Sequence, residues 1–248
     1  MKATFGDAKL DTITPAQVER FLSELLTGTR GRSQSTRNRY RTLLHAMLNR
    51  AVRDKKLAVN PVKEVGKFKE PEGRTLYLIV DDEAAILDAL KPEQKTNAKP
   101  GRPSRNEDLR PLFVVSVHTG LRWSEQVSLC WRDVDFLTGV ITVQRSKNGR
   151  SRSVPMNSTV RSVLMDLAGQ RQRPDDPEEP VFRCSYTAPD KFFPRAVEQA
   201  ARALRGGGKD GTKLDGYTWH CNRHTFASRL VQAGVDLRAV QELGGWRT

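Results

Sequence analysis

Cysteine is scarce in this 248-residue sequence: Cys130, Cys184 and Cys221 are the only three, with no paired spacing. Such usage excludes a disulfide framework and fits a reducing, cytosolic setting, each thiol serving as a small core side chain. Long apolar runs are missing too. No stretch approaches the roughly 20 residues that a membrane span needs, and the first ten residues hold no secretory-type apolar segment. Acid is in short supply: 29 Asp and Glu stand against 42 Lys and Arg, a formal net charge of +13. That balance favours a polyanionic partner, nucleic acid ahead of an anionic membrane surface.

The shortage of acid is uneven. Residues 1–73 carry 15 basic and 8 acidic side chains, residues 74–248 carry 27 and 21, and no acid falls between Glu24 and Asp54. Two helices are predicted in this front segment. Thr14 opens the first, with Pro15 at the first helical position and Gln17 completing a capping box. Val18, Phe21, Leu22, Leu25 and Leu26 then recur at helical spacing until Gly28. Ser35 or Thr36 caps the second, whose apolar face is Tyr40, Leu43, Leu44, Met47, Leu48, Ala51 and Val52. Its other face and its approach carry Arg30, Arg32, Arg37, Arg39, Arg41, Arg50 and Arg53. A solvated basic face is the plain reading. Like charges repel unless a partner neutralises them, so Arg30, Arg32, Arg37, Arg39 and Arg41 are read as contacts to a DNA backbone. His45 reads as a packing or surface residue.

Asn60-Pro61 ends this unit. The charged, Gly- and Pro-containing stretch 62–75 reads as an interdomain linker, with 1–65 as a helical unit, 66–75 as the link proper and 76–248 as a second domain. In the latter, helices are expected from about 81, over 109–118 (stopped by Thr119-Gly120), over 159–168, 194–204 and 220–233, and from a cap at Asp236 to 243. The polar segments 91–108 and 170–180 read as loops. Residues 140–144 alternate like a strand, 152–155 return beside them, and Asn148-Gly149 is a strong hairpin-turn signal. The expected class is mainly α with a small antiparallel β hairpin or sheet.

Certain side chains suit cleavage of a phosphate ester. That chemistry needs charge neutralised on the non-bridging oxygens, and a planar guanidinium bonds two oxygens while staying charged. Arg122 (in TGLRWSE) and Arg223 (in HCNRHTF) are candidate clamps. Surface salt bridging is the ordinary reading of either alone, but both sit among apolar helix signals (Leu121, Trp123, Phe226). His220 and Arg223 share a helix face at i, i+3, and His220 could take a proton from an attacking hydroxyl or hold the phosphate. His224 lies at i+4 from His220, yet a zinc site lacks its Glu and third ligand, so a structural hydrogen bond is expected. Lys147 stands one residue before the Asn148-Gly149 turn, either as an exposed hairpin lysine or as a mobile ammonium at the DNA. Arg145, Arg150 and Arg152 nearby suit backbone contact. Glu125, one turn beyond Arg122, would orient a neighbouring His or Arg. Trp246 (in LGGW) donates only through its indole N–H, to a phosphate oxygen if it is not simply a core residue.

TGLRWSEQVSLCWRDVD, SKNGRSRSVPM, HCNRHTFAS and VQELGGWRT, in that order, resemble four motifs of the tyrosine recombinases, the phage-integrase family. The two front helices are similar to that family's core-binding domain. The resemblance implies a core-binding domain plus catalytic domain clamped on double-stranded DNA, and strand breaking and rejoining through a phosphotyrosyl link. It assigns catalytic roles to Arg122, Lys147 (general acid), His220, Arg223 and Trp246, with Glu125 and His224 in support. It implies no metal or organic cofactor, a homotetramer on DNA for full-length members, and a bacterial or phage-encoded cytoplasmic protein. The family's nucleophile is a tyrosine a short helix beyond the Trp246 position, whereas Tyr40, Tyr77, Tyr186 and Tyr217 all precede it. Tyr217 reads as core. The expectation is a phosphate grip without its nucleophile, in a chain shortened at both ends and cleavage-incompetent. Two other readings stand beside it: a non-catalytic remnant occupying recombination sites, and a type IB topoisomerase relative. The basic two-helix front and the GLRWSE wording argue against the topoisomerase.

Overall fold

A computed structural model describes residues 2–27, 31, 33–70, 75–91, 108–144, 151–170 and 176–246. The chain divides into two units, Met1–Arg74 and Thr75–Thr248.

The first unit is helical: α1 (Lys2–Phe5), α2 (Pro15–Thr27) and α3 (Gln34–Arg53). The predicted capping box opens α2, with Gln17 Oε1 accepting from the Thr14 N–H at 2.9 Å and Thr14 Oγ1 from the Gln17 N–H at 3.3 Å. Val18, Phe21 and Leu22 pack against Leu44, Leu48, Val62 and Val65. Helix α3 starts earlier than expected, because Ser33 rather than Ser35 or Thr36 accepts the Thr36 N–H. Its buried face keeps Leu44, Leu48 and Ala51 of the expected one but is narrower. Leu43 and Met47 are exposed, while Arg37 is buried. The Arg37 Nε–H donates to the Leu22 carbonyl at 2.6 Å, and its guanidinium carbon lies 3.4 Å above the Phe68 ring. Arg41 donates to the carbonyls of Val65 (2.6 Å) and Val62 (3.2 Å). Both brace the segment returning along α3; Arg37, read from sequence as a DNA contact, is buried in doing so, while Arg41 is half-buried. Arg39 remains exposed; Arg30 and Arg32 lie outside the described residues. Phe68 and Glu70, within the stretch read as linker, are held to α3 by Asn38, which donates to the Phe68 carbonyl and to Glu70 and accepts the Phe68 N–H.

The second unit begins with α4 (Val80–Ala89), α5 (Leu109–Thr119) and α6 (Trp123–Val127). A three-stranded antiparallel sheet follows: β1 (Val134–Asp135), β2 (Val140–Val143) and β3 (Arg152–Pro155), in the order β1-β2-β3. Helices α7 (Ser158–Gln170), α8 (Ala188–Lys191), α9 (Phe193–Gly206), α10 (Cys221–Gln232) and α11 (Leu237–Gly244) complete it. The hairpin pairs as predicted, Val143 opposite Arg152 and Ile141 opposite Val154; its Asn148-Gly149 turn lies outside the described residues. The strand β1 and helix α8 had no signal of their own in the sequence.

Helix α5 is buried on nearly every side and packs against α7 and α10. Phe113, Phe193 and Trp219 form the aromatic centre, with Trp219 and Phe193 ring centroids 4.8 Å apart and edge to face. Such contacts add about 0.5–1.5 kcal/mol each beyond burial. Gly120 ends α5 at φ 63°, where a Cβ would also strike the Phe226 ring at 2.4 Å. A buried polar chain then fixes α10. Tyr217 Oη donates to Asn222 Oδ1 (2.8 Å), and Asn222 Nδ2 donates to Ser116 Oγ on α5 (3.1 Å). The Trp219 indole N–H donates to Gln126 Oε1 (3.1 Å). Tyr217 is therefore a core residue, its hydroxyl pushed up in pKa by burial.

Lys55, just past the end of α3, holds a left-handed φ of 57° while the Lys56 N–H closes back on the Ala51 carbonyl. Glycine avoids the Cβ clash of that conformation, so Lys55→Gly is expected to stabilise the first unit by about 1 kcal/mol. A shift of the urea midpoint of that unit to lower concentration would contradict this.

Candidate active site

Helix α11 closes with a left-handed turn at Gly245 (φ 64°). The N–H groups of Gly245 and Trp246 bond the carbonyls of Glu242 and Gln241. The next three carbonyls, those of Leu243, Gly244 and Gly245, have no helical donor of their own, and a helix C-terminus concentrates partial negative charge there. Each is met by an arginine from a different element. Arg152 Nε donates to Leu243 O at 2.9 Å, Arg223 Nη2 to Gly244 O, and Arg122 Nη2 to Gly245 O at 2.9 Å. Arg223 Nη1 also donates to the Gly120 carbonyl, so it joins the ends of α5 and α11.

Glu125 is the counter-charge. Its side chain is 3 % exposed. Oε1 accepts from Arg122 Nη1 (2.8 Å) and Arg152 Nη1 (2.9 Å). Oε2 accepts from Arg152 Nη2 (2.7 Å) and the Arg122 N–H (2.8 Å). Three guanidinium groups and one carboxylate leave a local charge of about +2, the excess available to an anion. Burial, reinforced by Arg122 and Arg152, pushes Arg223 down to about 9, so it stays charged at neutral pH.

The glycines of LGGW are set by this packing. A Cβ on Gly244 would lie 1.7 Å from the Trp246 ring. One on Gly245 would press on the Arg152 side chain at 3.2 Å. Trp246 folds back so that its ring sits 3.9 Å from the Arg223 guanidinium carbon, a cation–π contact that fixes both groups.

A cleft of ≈ 820 Å³ is lined by Arg122, Arg223, His220, Trp123, Tyr186 and Trp219, among others. His220 stands exposed at the start of α10, its ring edge to face with His224 at 5.2 Å. Desolvation, then the charges of His224, Arg223 and Arg122, lowers its pKa, so the imidazole is neutral at pH 7 and able to accept a proton. Among the described residues no group of three His, Cys, Asp or Glu is arranged to hold a metal.

Of the residues singled out from sequence, Arg122, Glu125, His220, Arg223 and Trp246 are thus brought to one place, with His224 beside them. Lys147, Arg145 and Arg150 lie outside the described residues; strands β2 and β3 lead to them. Arg152 was expected on the DNA backbone and is instead drawn inward, its side chain 10 % exposed. The signal for this was present: Arg152 shares a strand face with buried Val154, two residues on. Trp123 and Tyr186, whose carbonyl accepts the Trp123 indole N–H, were not anticipated as lining residues.

Glu125 is held down to about 2, against an ordinary 4.5, chiefly by its bonds to Arg152 and the Arg122 N–H overcoming desolvation. The ionised form therefore adds stability above pH 4.5 that fades as pH falls toward 2. Glu125→Gln is expected to cost about 2–4 kcal/mol at pH 7 and much less at pH 3. Equal losses at both pH values in urea unfolding would remove Glu125 from this role.

Comparison with known proteins identifies the family and the fold. The family model described as the phage integrase family matches residues 81–248. The tyrosine recombinase XerC of Thermodesulfovibrio yellowstonii is 27 % identical over 249 residues, covering 97 % of this chain and 76 % of that protein. The integrase of Salmonella phage P22 is 26 % identical over 218 residues, covering 80 % of this chain and 52 % of its own length. The Tn1549 transposon integrase, solved in complex with circular intermediate DNA, superposes with a TM-score of 0.72 at 20 % identity, over 98 % of this chain and 80 % of that one. The chain belongs to the phage integrase family, the tyrosine recombinases.

Proposed function

We propose that this chain grips one phosphodiester of duplex DNA between Arg122 and Arg223, as part of site-specific strand cleavage and rejoining. The observation that carries this reading is the convergence of three guanidinium groups on one helix end, two of them also bonded to one carboxylate, leaving about two positive charges beside a neutral imidazole. A phosphodiester carries one negative charge, and attack on it generates a second. An excess of about two positive charges matches the transition state better than the ground state, which is the requirement for acceleration. An incoming tyrosine oxygen forms a bond to phosphorus, its proton passing to His220, while the 5′ oxygen departs with a proton from Lys147. The ester energy is kept in the protein–DNA link, so the exchange calls for no cofactor. Trp246 walls the site and steadies Arg223.

Tyr217 is buried and is not assigned the attack; Arg122 and Arg223 are assigned binding and charge neutralisation, and His220 the proton transfer. The test is a nicked suicide duplex offered to this chain and to one continued through a following tyrosine. The continued form is expected to become covalently attached to DNA, and Arg223→Ala to lower the yield at least about a hundredfold. A continued form that binds its site but never attaches would sink the cleavage reading and leave a site-occupying protein.

Backbone contact by the front unit has a separate signature. Arg39→Ala is expected to reduce the slope of log affinity against log salt by about 1. Arg37→Ala is expected to leave the slope unchanged and instead to lower that unit's stability by about 2–4 kcal/mol, since the buried Leu22 carbonyl loses its donor and the half-buried Phe68 ring its cation. Gel-shift titrations over a salt series, with parallel melting curves, separate the two.

A further inference from the structure

Glu125 raises a difficulty for the proposed phosphate grip, on which this inference rests. A carboxylate that took Arg122 in a two-oxygen fork would satisfy that guanidinium internally, because bidentate Arg–carboxylate pairs are the strong ones. Only one side-chain bond joins them here, Arg122 Nη1 to Oε1 at 2.8 Å. The fork is taken by Arg152, through Nη1 to Oε1 and Nη2 to Oε2 at 2.9 and 2.7 Å. Arg152 is itself fixed by its Nε bond to Leu243 O and lies against Gly245. It pairs with Val143 on β2, at the last rung before residues 145–150.

We infer that Arg152 is a positioning residue: by holding both oxygens of Glu125 it keeps that carboxylate from closing on Arg122, and so leaves the Arg122 guanidinium open to a phosphate. Without Arg152, the local excess charge falls from about +2 to about +1, and Glu125 has only Arg122 left as a cationic partner. The defect then comes from the freed carboxylate rather than from a missing contact to the anion, and removing the carboxylate's charge relieves it. A bracing role for Arg152 would not behave this way.

Inorganic vanadate, a tetrahedral oxyanion that expands to five-coordination, is the probe, titrated calorimetrically into the chain. Arg152→Met is expected to weaken uptake about tenfold or more, and Arg152→Met with Glu125→Gln to recover to within about threefold of Glu125→Gln alone. Arg152→Lys keeps a cation in the core, but its single ammonium cannot serve both oxygens and Leu243 O. It is expected to lose about threefold, also relieved by Glu125→Gln, and gives the same comparison should the methionine variant melt. Uptake that needs both Arg122 and Arg223 but is undiminished in Arg152→Met and Arg152→Lys overturns the inference alone. A loss that Glu125→Gln does not relieve, in variants still folded at the titration temperature, overturns it as well. Uptake indifferent to Arg122→Ala and Arg223→Ala removes the phosphate grip itself, and this inference with it.

Discussion

Three guanidinium groups share the carbonyl end of one helix, two of them also sharing one buried carboxylate, and the second unit is organised around making that possible. Bringing like charges together in a partly dry site is unfavourable unless each is bonded and the whole is partly neutralised. Glu125 supplies the one formal negative charge. The remaining compensation comes from peptide dipoles at the ends of α11 and α5, which carry no net charge and cannot be titrated away. An anion entering the site therefore meets cations that are already oriented and still under-neutralised, so little reorganisation accompanies its binding.

The elements that carry these side chains are held by features remote from the charges. The Tyr217–Asn222–Ser116 chain and the Trp219–Gln126 bond set the start of α10 against α5 and α6, and so set Arg223 and His220 against Arg122. Gly120 and Gly244 are required where a side chain would collide with Phe226 or Trp246. Polar interior groups of this kind are costly unless fully paired, and here the pairing fixes the relative placement of three helices.

Much of this was legible in the sequence, for identifiable reasons. Local chemistry announces itself locally: Thr14 with Gln17 and Asp236 with its two amides are caps that sequence spacing alone identifies. The motif residues Arg122, Glu125, His220, Arg223 and Trp246 were picked out by residue type and order. What could not be read was the far partner of a charge. Arg37, Arg39 and Arg41 are alike in the sequence, yet two of them find carbonyls contributed by distant residues and one faces solvent. The same ignorance drew the apolar face of α3 too wide: Leu44, Leu48 and Ala51 are buried with Arg37, while Leu43 and Met47 face solvent. Arg152 was misread for a different reason: it was grouped with the basic hairpin tip when strand alternation already turned it inward beside Val154.

The acceptors at the end of α11 are main-chain oxygens, and that has a bearing on how such a site endures change. No side-chain replacement at Leu243 can delete the carbonyl that Arg152 uses. Only a change in chain length through α11, which would rotate the three oxygens out of step by about 100° per residue, disconnects all three cations at once. Gly244 apart, drift in composition is thus tolerated along this helix where drift in length is not.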